Sequence, residues 1–227
     1  MSKDRPYIDL HTHQIVSELD VVSVYNLMLD KTSDLPEFPF SAGLHPWYAA
    51  QLSLEKLSFA LDLCASNLHL NAFGETGLDK ACNIPFRLQL DVFELHLKKA
   101  TEHSKPLILH CVKAWDELIE IVAKYPVIKI LHGYTGSEEL TNRLVKKGFY
   151  FSVGEAILKP DSKIGRSIQM IPTSALFLET DTSKFPIQDI YHAAAIALHI
   201  GEQELRGCIF ENFLRSMGVS SEIKGNS

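Results

Sequence analysis

The sequence lacks the features that mark membrane-spanning, secreted and disulfide-stabilised proteins. No apolar run reaches the ~18 residues that a spanning helix needs, and the first residues carry no apolar signal stretch. The chain has only four cysteines, which form no C-x-x-C pair and no zinc-knuckle spacing: Cys64, Cys82, Cys111 and Cys208. These absences predict a cytoplasmic protein whose thiols are reduced.

Basic charge is also scarce. The chain has 22 lysines and arginines against 28 aspartates and glutamates, which gives a formal net charge of −6, and it contains no extended basic block. A protein that holds duplex DNA mainly by neutralising phosphates shows a basic stripe. The composition therefore argues against tight, sequence-specific DNA binding. If the chain acts on DNA or another phosphodiester, we expect weak and local binding, with neither a membrane nor an obligate protein partner.

The chain has the material for one α/β domain. Its 227 residues are 46% hydrophobic and 22% charged, close to globular averages, so residues 1–227 are predicted to form a single domain. Strands are expected near 7–10, 21–27, 40–44, 70–74, 107–110, 127–131, 149–153 and 175–180. Helical patterning is clearest at 53–66, 87–103, 114–124, 137–147 and 186–199. This alternation predicts a single (β/α)8 TIM-type barrel, distorted because the segment 28–39 is short and holds two prolines.

Six potential metal ligands lie at or just past the ends of five predicted strands: His11, His13, Glu75, His110, His132 and Asp181. Parallel strands that close into a barrel gather their C-terminal ends on one face, where such enzymes keep their active sites. We therefore expect these side chains to converge there around two divalent ions, about 3.5–4 Å apart. Imidazoles and carboxylates suit Zn²⁺, Mn²⁺ or Ni²⁺ better than Mg²⁺, and the sequence does not decide among the four.

The two histidines of the first strand are a weak motif when taken alone. Residues i and i+2 of an extended segment point to the same side, so His11 and His13 can bind one ion. An incidental pair is an equally good interpretation of these two positions. Asp9 either orients one imidazole or serves only as a structural acid.

The remaining ligand candidates include two predicted catalytic acids. Glu75, flanked by Gly74 and Gly77, can bridge two ions with its two oxygens. Asp181 can bind an ion with one oxygen and accept the proton of the attacking water with the other. Glu179, two residues earlier, either tunes the site or is a structural acid.

His110 and His132 indicate a functional site only when they are considered together. Each of His110 and His132 follows an apolar strand, where a single histidine is more often a core residue than a ligand. Their occurrence on successive strands after the glutamate favours metal binding.

With these residues in view, the chain resembles the TatD family of metal-dependent deoxyribonucleases, in the amidohydrolase-like barrel superfamily. Six motifs carry the resemblance, in this order: Asp9 to His13, Gly43 to Pro46, Gly74 to Asp79, Pro106 to His110, Leu131 to Gly136, and Leu178 to Asp181, followed by Asn212. The resemblance covers almost the whole chain. It implies a (β/α)8-type barrel, a requirement for divalent metal and exonuclease-type hydrolysis of DNA.

The chain departs from the family pattern where substrate is expected to bind. The family usually places a small residue and an arginine after the histidine that corresponds to His110, whereas Cys111 and Val112 stand here, with Lys113 next. We predict that Lys113 contacts a substrate phosphate in place of the arginine; the alternative is that it begins the next helix and faces solvent. His45 is likewise predicted to contact phosphate, with helix capping as the alternative.

Two aromatic residues follow His45 in the sequence. Trp47 and Tyr48 are candidates either for stacking on an unpaired base or for packing within the loop.

Two other functions remain open from the sequence. A two-metal amidohydrolase or esterase would act on a small molecule, although many such enzymes bridge their ions with a carbamylated lysine where this chain offers Glu75. A metal-binding protein that has lost catalysis is the other, kept open by the absent arginine. The preferred hypothesis is a divalent-metal-dependent phosphodiesterase that acts on DNA ends.

Overall fold

The computed structural model describes residues 5–29, 34–159 and 161–218. Within these ranges eight strands alternate with helices: β1 (Tyr7–Thr12), β2 (Val21–Met28), β3 (Phe40–Gly43), β4 (Leu70–Asp79), β5 (Leu107–Val112), β6 (Lys129–Leu131), β7 (Tyr150–Val153) and β8 (Leu176–Leu178). The α-helices are α1 (Leu54–Ala65), α2 (Phe86–Glu102), α3 (Trp115–Val122), α4 (Glu138–Lys146), α5 (Lys163–Ser167), α6 (Ile187–Leu198) and α7 (Glu202–Met217). Single 3-10 turns lie at Pro46–Tyr48, Glu155–Leu158, Ile168–Met170 and Thr173–Ala175.

All eight predicted strands are present, although β4 is longer than predicted, and the five predicted helices coincide with α1, α2, α3, α4 and α6. Ser53 caps α1, since its Oγ accepts a hydrogen bond from the backbone N of Lys56 at 3.3 Å. In the segment 28–39, residues 30–33 lie outside the described ranges, and the described remainder contains no helix. Two helices, α5 and α7, were not predicted. In α7 the buried Leu205, Ile209 and Phe213 follow a four-residue step, but charged residues and a glycine interrupt the pattern.

The chain divides into two compact units, Met1–Ser23 with His132–Ser227, and Val24–Leu131. The single domain 1–227 therefore remains a prediction.

The unit Val24–Leu131 is built on consecutive parallel strands. β2 pairs with β3, β3 with β4, β4 with β5, and β5 with β6. Helices α1 and α2 cover this sheet through fully buried side chains that include Leu57, Leu61, Phe93 and Leu97. Burial of such apolar area is the main stabilising contribution to a core of this kind.

The unit formed by Met1–Ser23 and His132–Ser227 has its own core. β7 pairs with β8 in parallel, and an isolated parallel bridge joins Thr12 to Asp181. The buried Tyr191 hydroxyl of α6 donates to the Ile8 carbonyl at 3.1 Å and accepts from the Ile8 amide at 3.0 Å. These bonds fix β1 against α6.

Among the described helices, none combines the length and apolar character needed to cross a bilayer. All four cysteines lie within the described ranges and are free thiols.

Candidate metal centres

The first cluster consists of His11, His13 and Asp181, which each offer a ligand atom within 4.8 Å of the other two. Asp181 Oδ1 lies 3.4 Å from His13 Nε2 and 3.8 Å from His11 Nε2. The two imidazole rings meet edge-on, with centroids 5.2 Å apart. Two imidazoles and a carboxylate at this spacing form a donor set that suits Zn²⁺, Mn²⁺ or Ni²⁺.

Backbone hydrogen bonds hold the first cluster in place. The Asp181 amide donates to the His11 carbonyl at 2.8 Å, and the His13 amide donates to the Asp181 carbonyl at 3.1 Å. Asp181 has a left-handed backbone with φ of 51°, a conformation that aspartate tolerates better than most residues. The two hydrogen bonds form the parallel bridge between Thr12 and Asp181.

Asp9 fixes the chain immediately before Asp181. Its carboxylate accepts hydrogen bonds from the amide of Thr180 at 2.8 Å and from the Thr180 hydroxyl at 2.7 Å. Burial raises the pKa of Asp9 to about 7, against the opposing effect of these hydrogen bonds. The contacts favour the structural interpretation of Asp9, because they anchor the end of β8 to β1.

His132 lies beside the first cluster, with its ring centroid 4.6 Å from that of His11. Glu179 Oε1 lies 3.5 Å from His132 Nδ1 and accepts a hydrogen bond from the Gly133 amide at 2.6 Å. Metal-bound histidines usually hold their second nitrogen against a carboxylate or carbonyl of this kind. The placement of the fully buried Glu179 thus favours a tuning role over a purely structural one.

The second cluster consists of His45, Glu75 and His110, whose ligand atoms also lie within 4.8 Å of one another. Glu75 Oε1 lies 3.1 Å from His45 Nε2 and 3.0 Å from His110 Nδ1. Asn26 on β2 holds the backbone here, since its Oδ1 accepts a hydrogen bond from the Glu75 amide at 2.9 Å.

The glycines around Glu75 lie within a strand. The sequence predicts that this strand ends near residue 74, but β4 continues to Asp79 with a register shift between Phe73 and Thr76. A Cβ at Gly74 would clash with the Ile108 carbonyl oxygen, and one at Gly77 would clash with that of His110. The glycines therefore allow an irregular strand to approach β5 closely.

The hydrogen bonds of His45 determine which of its nitrogens carries a proton. Its Nδ1 accepts a hydrogen bond from the Trp47 backbone N at 3.2 Å, which is the capping contact that the alternative interpretation foresaw. A neutral imidazole has one donor and one acceptor nitrogen, so Nε2 carries the proton and points toward Glu75. A metal ligand needs a lone pair at that position. The geometry thus favours His45 as a hydrogen-bond donor over His45 as a ligand.

Asp79 links the second cluster to an exposed aromatic side chain. Its Oδ2 accepts a hydrogen bond from Trp47 Nε1 at 2.6 Å and lies 3.4 Å from His110 Nε2. Burial opposes ionisation of Asp79, but hydrogen bonds from Trp47, the Ala81 amide and His110 outweigh it and lower the pKa of this carboxyl. An ionised Asp79 can orient His110 so that Nδ1 faces Glu75. The sequence placed Asp79 in a motif but gave it no role.

His96 was not singled out by the sequence, yet it supports the second cluster from α2. Its Nε2 accepts a hydrogen bond from the Leu44 amide at 3.1 Å, and its Nδ1 lies 2.8 Å from the Val92 carbonyl oxygen. Complete burial lowers the pKa of His96 to about 4, so the ring is neutral in the folded protein near pH 7. It therefore holds the residue that precedes His45.

Lys113 is exposed and has a left-handed backbone with φ of 55°. Ala114 is the N-cap of α3, which begins at Trp115. Lys113 thus precedes the helix and does not begin it, which differs from the alternative interpretation, whereas its exposure agrees with that interpretation. Contact with a phosphate remains a prediction.

The structure brings His11, His13 and Asp181 together in one unit, with His132 beside them, and Glu75 with His110 in the other. That all six predicted ligands hold two ions remains a prediction.

Comparison with known proteins gives a consistent family match. The model of the family described as TatD related DNase matches residues 10–197. "Uncharacterized metal-dependent hydrolase YjjV" of Escherichia coli (strain K12) is 33% identical over 152 residues, which cover 64% of this chain and 58% of the relative. "3'-5' RNA nuclease TATDN2" of Homo sapiens is 33% identical over 171 residues, which cover 69% of this chain and 22% of the relative. "3'-5' ssDNA/RNA exonuclease TatD" of Erwinia tasmaniensis is 31% identical over 155 residues, which cover 64% of this chain and 59% of the relative. The sequence alignments thus span less than two thirds of each of these relatives.

A solved structure agrees over a longer stretch. The crystal structure of YjjV, described as a TatD homolog from Escherichia coli K12, matches with a TM-score of 0.78 at 24% identity, covering 94% of this chain and 98% of the other. Together with the eight alternating strands, this match confirms the predicted α/β fold of the (β/α)8 barrel class.

Proposed function

This chain belongs to the TatD family of metal-dependent hydrolases, and on that premise we propose that it is a divalent-metal-dependent phosphodiesterase that removes nucleotides from DNA ends. The observation that carries the proposal is the first cluster, in which a carboxylate oxygen of Asp181 faces two imidazole nitrogens at 3.4 and 3.8 Å. Relatives whose names describe 3'-5' nucleases support the nucleic-acid substrate.

The proposed ligands are the six residues that the sequence singled out, with Zn²⁺, Mn²⁺, Ni²⁺ or Mg²⁺ as the candidate ions: His11, His13, Glu75, His110, His132 and Asp181. When bound, such ions activate water and neutralise charge on a phosphoryl group. Glu75 Oε1 lies 3.0 Å from His110 Nδ1, so this carboxylate would hold metal together with His110.

Side chains of the protein are proposed to accept the proton of the attacking water and to bind the phosphate. We assign Asp181 as the general base: Oδ1 faces the imidazoles, and Oδ2 takes the proton of the attacking water. His45 Nε2–H faces Glu75 Oε1 at 3.1 Å, and with Glu75 engaged in holding metal this N–H would be available as a donor to a phosphate oxygen. Lys113 is proposed as the cation that stands in for the missing arginine, although lysine lacks the two-pronged geometry of that side chain.

The test is a substrate panel with controlled metal. Labelled single- and double-stranded DNA, RNA and p-nitrophenyl esters are each incubated with protein and Mg²⁺, Mn²⁺ or Zn²⁺, with EDTA as the control. The proposal expects stepwise shortening of DNA from an end that depends on metal. Hydrolysis of the p-nitrophenyl carboxylic esters with intact DNA would instead identify the small-molecule amidohydrolase or esterase. No turnover with metal bound would identify a binding protein.

We also propose that residues 1–227 form one domain in the cytoplasm, and the four free thiols support this location. A single cooperative unfolding transition and recovery in the cytosolic fraction are the expected results. Two separate transitions, or recovery outside the cytosol, would contradict them.

A further inference from the structure

Trp47 is a large aromatic residue that remains exposed next to a candidate metal centre. Its side chain is 53% exposed, although tryptophan buries most of its surface in typical folded proteins. Its ring centroid lies 4.8 Å from that of His45 and 6.3 Å from that of His110. An exposed indole is thus placed within about one nucleotide of residues proposed to act on phosphate.

The indole is held rigidly despite its exposure. Nε1 donates a 2.6 Å hydrogen bond to Asp79 Oδ2, and Asp79 is itself buried. The ring meets His45 nearly at a right angle, with an interplanar angle of 82°. Because its only polar group is satisfied and its orientation is fixed, little conformational entropy is lost when a flat ligand binds to the ring.

The polar and apolar groups beside the indole suit a nucleotide as that ligand. Trp47 offers an apolar ring surface, and the N–H of His45, which faces Glu75 Oε1 at 3.1 Å, would suit a phosphate oxygen with Glu75 engaged in holding metal. Bases stack on aromatic side chains with little sequence preference, since every base has a π-face. A base inside a duplex is already stacked and paired, so only an unpaired end can use this surface without an unpairing cost.

We propose that Trp47 is a stacking platform for the unpaired terminal base of the substrate strand, and that this stacking contributes to the affinity for that strand. This inference rests on the proposed function, because it assumes that the phosphodiester is cleaved beside this residue. Trp47 acts in substrate binding and takes no part in proton transfer.

The kinetic test compares Trp47→Leu and Trp47→Phe with the wild type on two oligothymidylates. One has normal ends, and the other carries abasic residues at both ends. For the normal substrate, Trp47→Leu should raise KM roughly 5- to 150-fold with little change in kcat, the range expected for loss of one base–aromatic stack. Trp47→Phe keeps a stacking ring and should show a much smaller rise. On the abasic substrate, the wild type should already have the raised KM, and Trp47→Leu should add nothing.

Phe59 on α1 provides a matched control, since it is also an exposed aromatic residue, at 71%, with no ring contact to either cluster in the described structure. Phe59→Leu should leave KM unchanged on both substrates. Equal effects of Phe59→Leu and Trp47→Leu would show that loss of surface aromatics lowers affinity generally, and would overturn the proposal.

A binding measurement separates this inference from the proposed function. The chain has two tryptophans, so Trp115→Phe leaves Trp47 as the sole indole fluorophore. Metal-loaded Trp115→Phe protein is titrated with phosphorothioate-linked oligothymidylate, which resists cleavage. Saturable quenching by the normal strand, and not by the abasic-ended strand or a blunt duplex, is the expected result.

The outcomes are distinct. Quenching by the normal strand with no cleavage of any DNA would retain the stacking site and reject the nuclease. Cleavage with an unchanged KM in Trp47→Leu, or equal quenching by normal and abasic-ended strands, would retain the nuclease and reject the stacking site.

Discussion

His45 Nε2 lies 3.1 Å from Glu75 Oε1 and carries the ring proton, because Nδ1 of the same ring accepts a hydrogen bond from the Trp47 backbone at 3.2 Å. A histidine that lies among potential ligands is therefore set up to donate a hydrogen bond. This distinction separates the residues proposed to hold metal from those proposed to hold phosphate.

Replacing His45 by Ala should raise KM about tenfold or more and leave the metal content unchanged, since one hydrogen bond to a charged phosphate is lost. His45→Gln, which keeps an N–H donor, should recover part of the affinity. Steady-state kinetics and elemental analysis of the same preparations check this. Loss of one ion per chain with an unchanged KM would show that His45 is a ligand.

Asp181→Asn should lower kcat by about 10²–10⁴-fold, the usual range for a positioned general base. The metal content of the variant should fall by a smaller factor than kcat, because His11 and His13 keep their positions in the first cluster. Single-turnover rates with metal-saturated protein isolate the chemical step from metal loss. A near-normal rate would mean that another group takes the proton.

Lys113→Ala should raise KM and reduce the slope of log KM against log salt by about one phosphate contact. The exposed Lys56 on α1 serves as a matched control, and Lys56→Ala should change neither quantity. Kinetics across a salt series give both values. Identical slopes for the two variants and the wild type would assign Lys113 to solvent.

His96 should make stability depend on pH in the acid range. Its pKa is about 4 in the folded protein against 6.5 for a free imidazole, so the unfolded chain takes up a proton that the folded protein excludes. Stability contributed by neutral His96 is complete above pH 6.5 and is lost as pH falls toward about 4, by about 3 kcal/mol.

Urea unfolding of His96→Gln and wild type between these pH values measures the effect. The variant should lose less stability on acidification than the wild type, while His69→Gln, at an exposed position, should follow the wild type. Parallel pH dependences for His96→Gln and the wild type would show that His96 titrates normally.

Residues within single motifs were predictable, and their supporting contacts were not. His11 and His13 are recognisable because strand geometry places residues i and i+2 on one side, and the two predicted catalytic acids follow apolar strands. Asp79 and Trp47 are 32 residues apart, and Leu44 and His96 are 52 apart. Such contacts depend on how β3, β4 and α2 pack, which no local pattern specifies. The length of β4 was also missed, since glycines within a strand look like a turn in sequence.

The most direct test of the metal-dependent nuclease is restoration of activity to metal-free protein. Protein stripped with EDTA is titrated with Mn²⁺ or Zn²⁺, and bound metal and shortening of end-labelled single-stranded DNA are measured on the same samples. We predict no cleavage without metal, and cleavage that rises with bound metal to a plateau near two ions per chain. Cleavage that persists in the stripped protein, or intact DNA at full metal occupancy, would contradict the account.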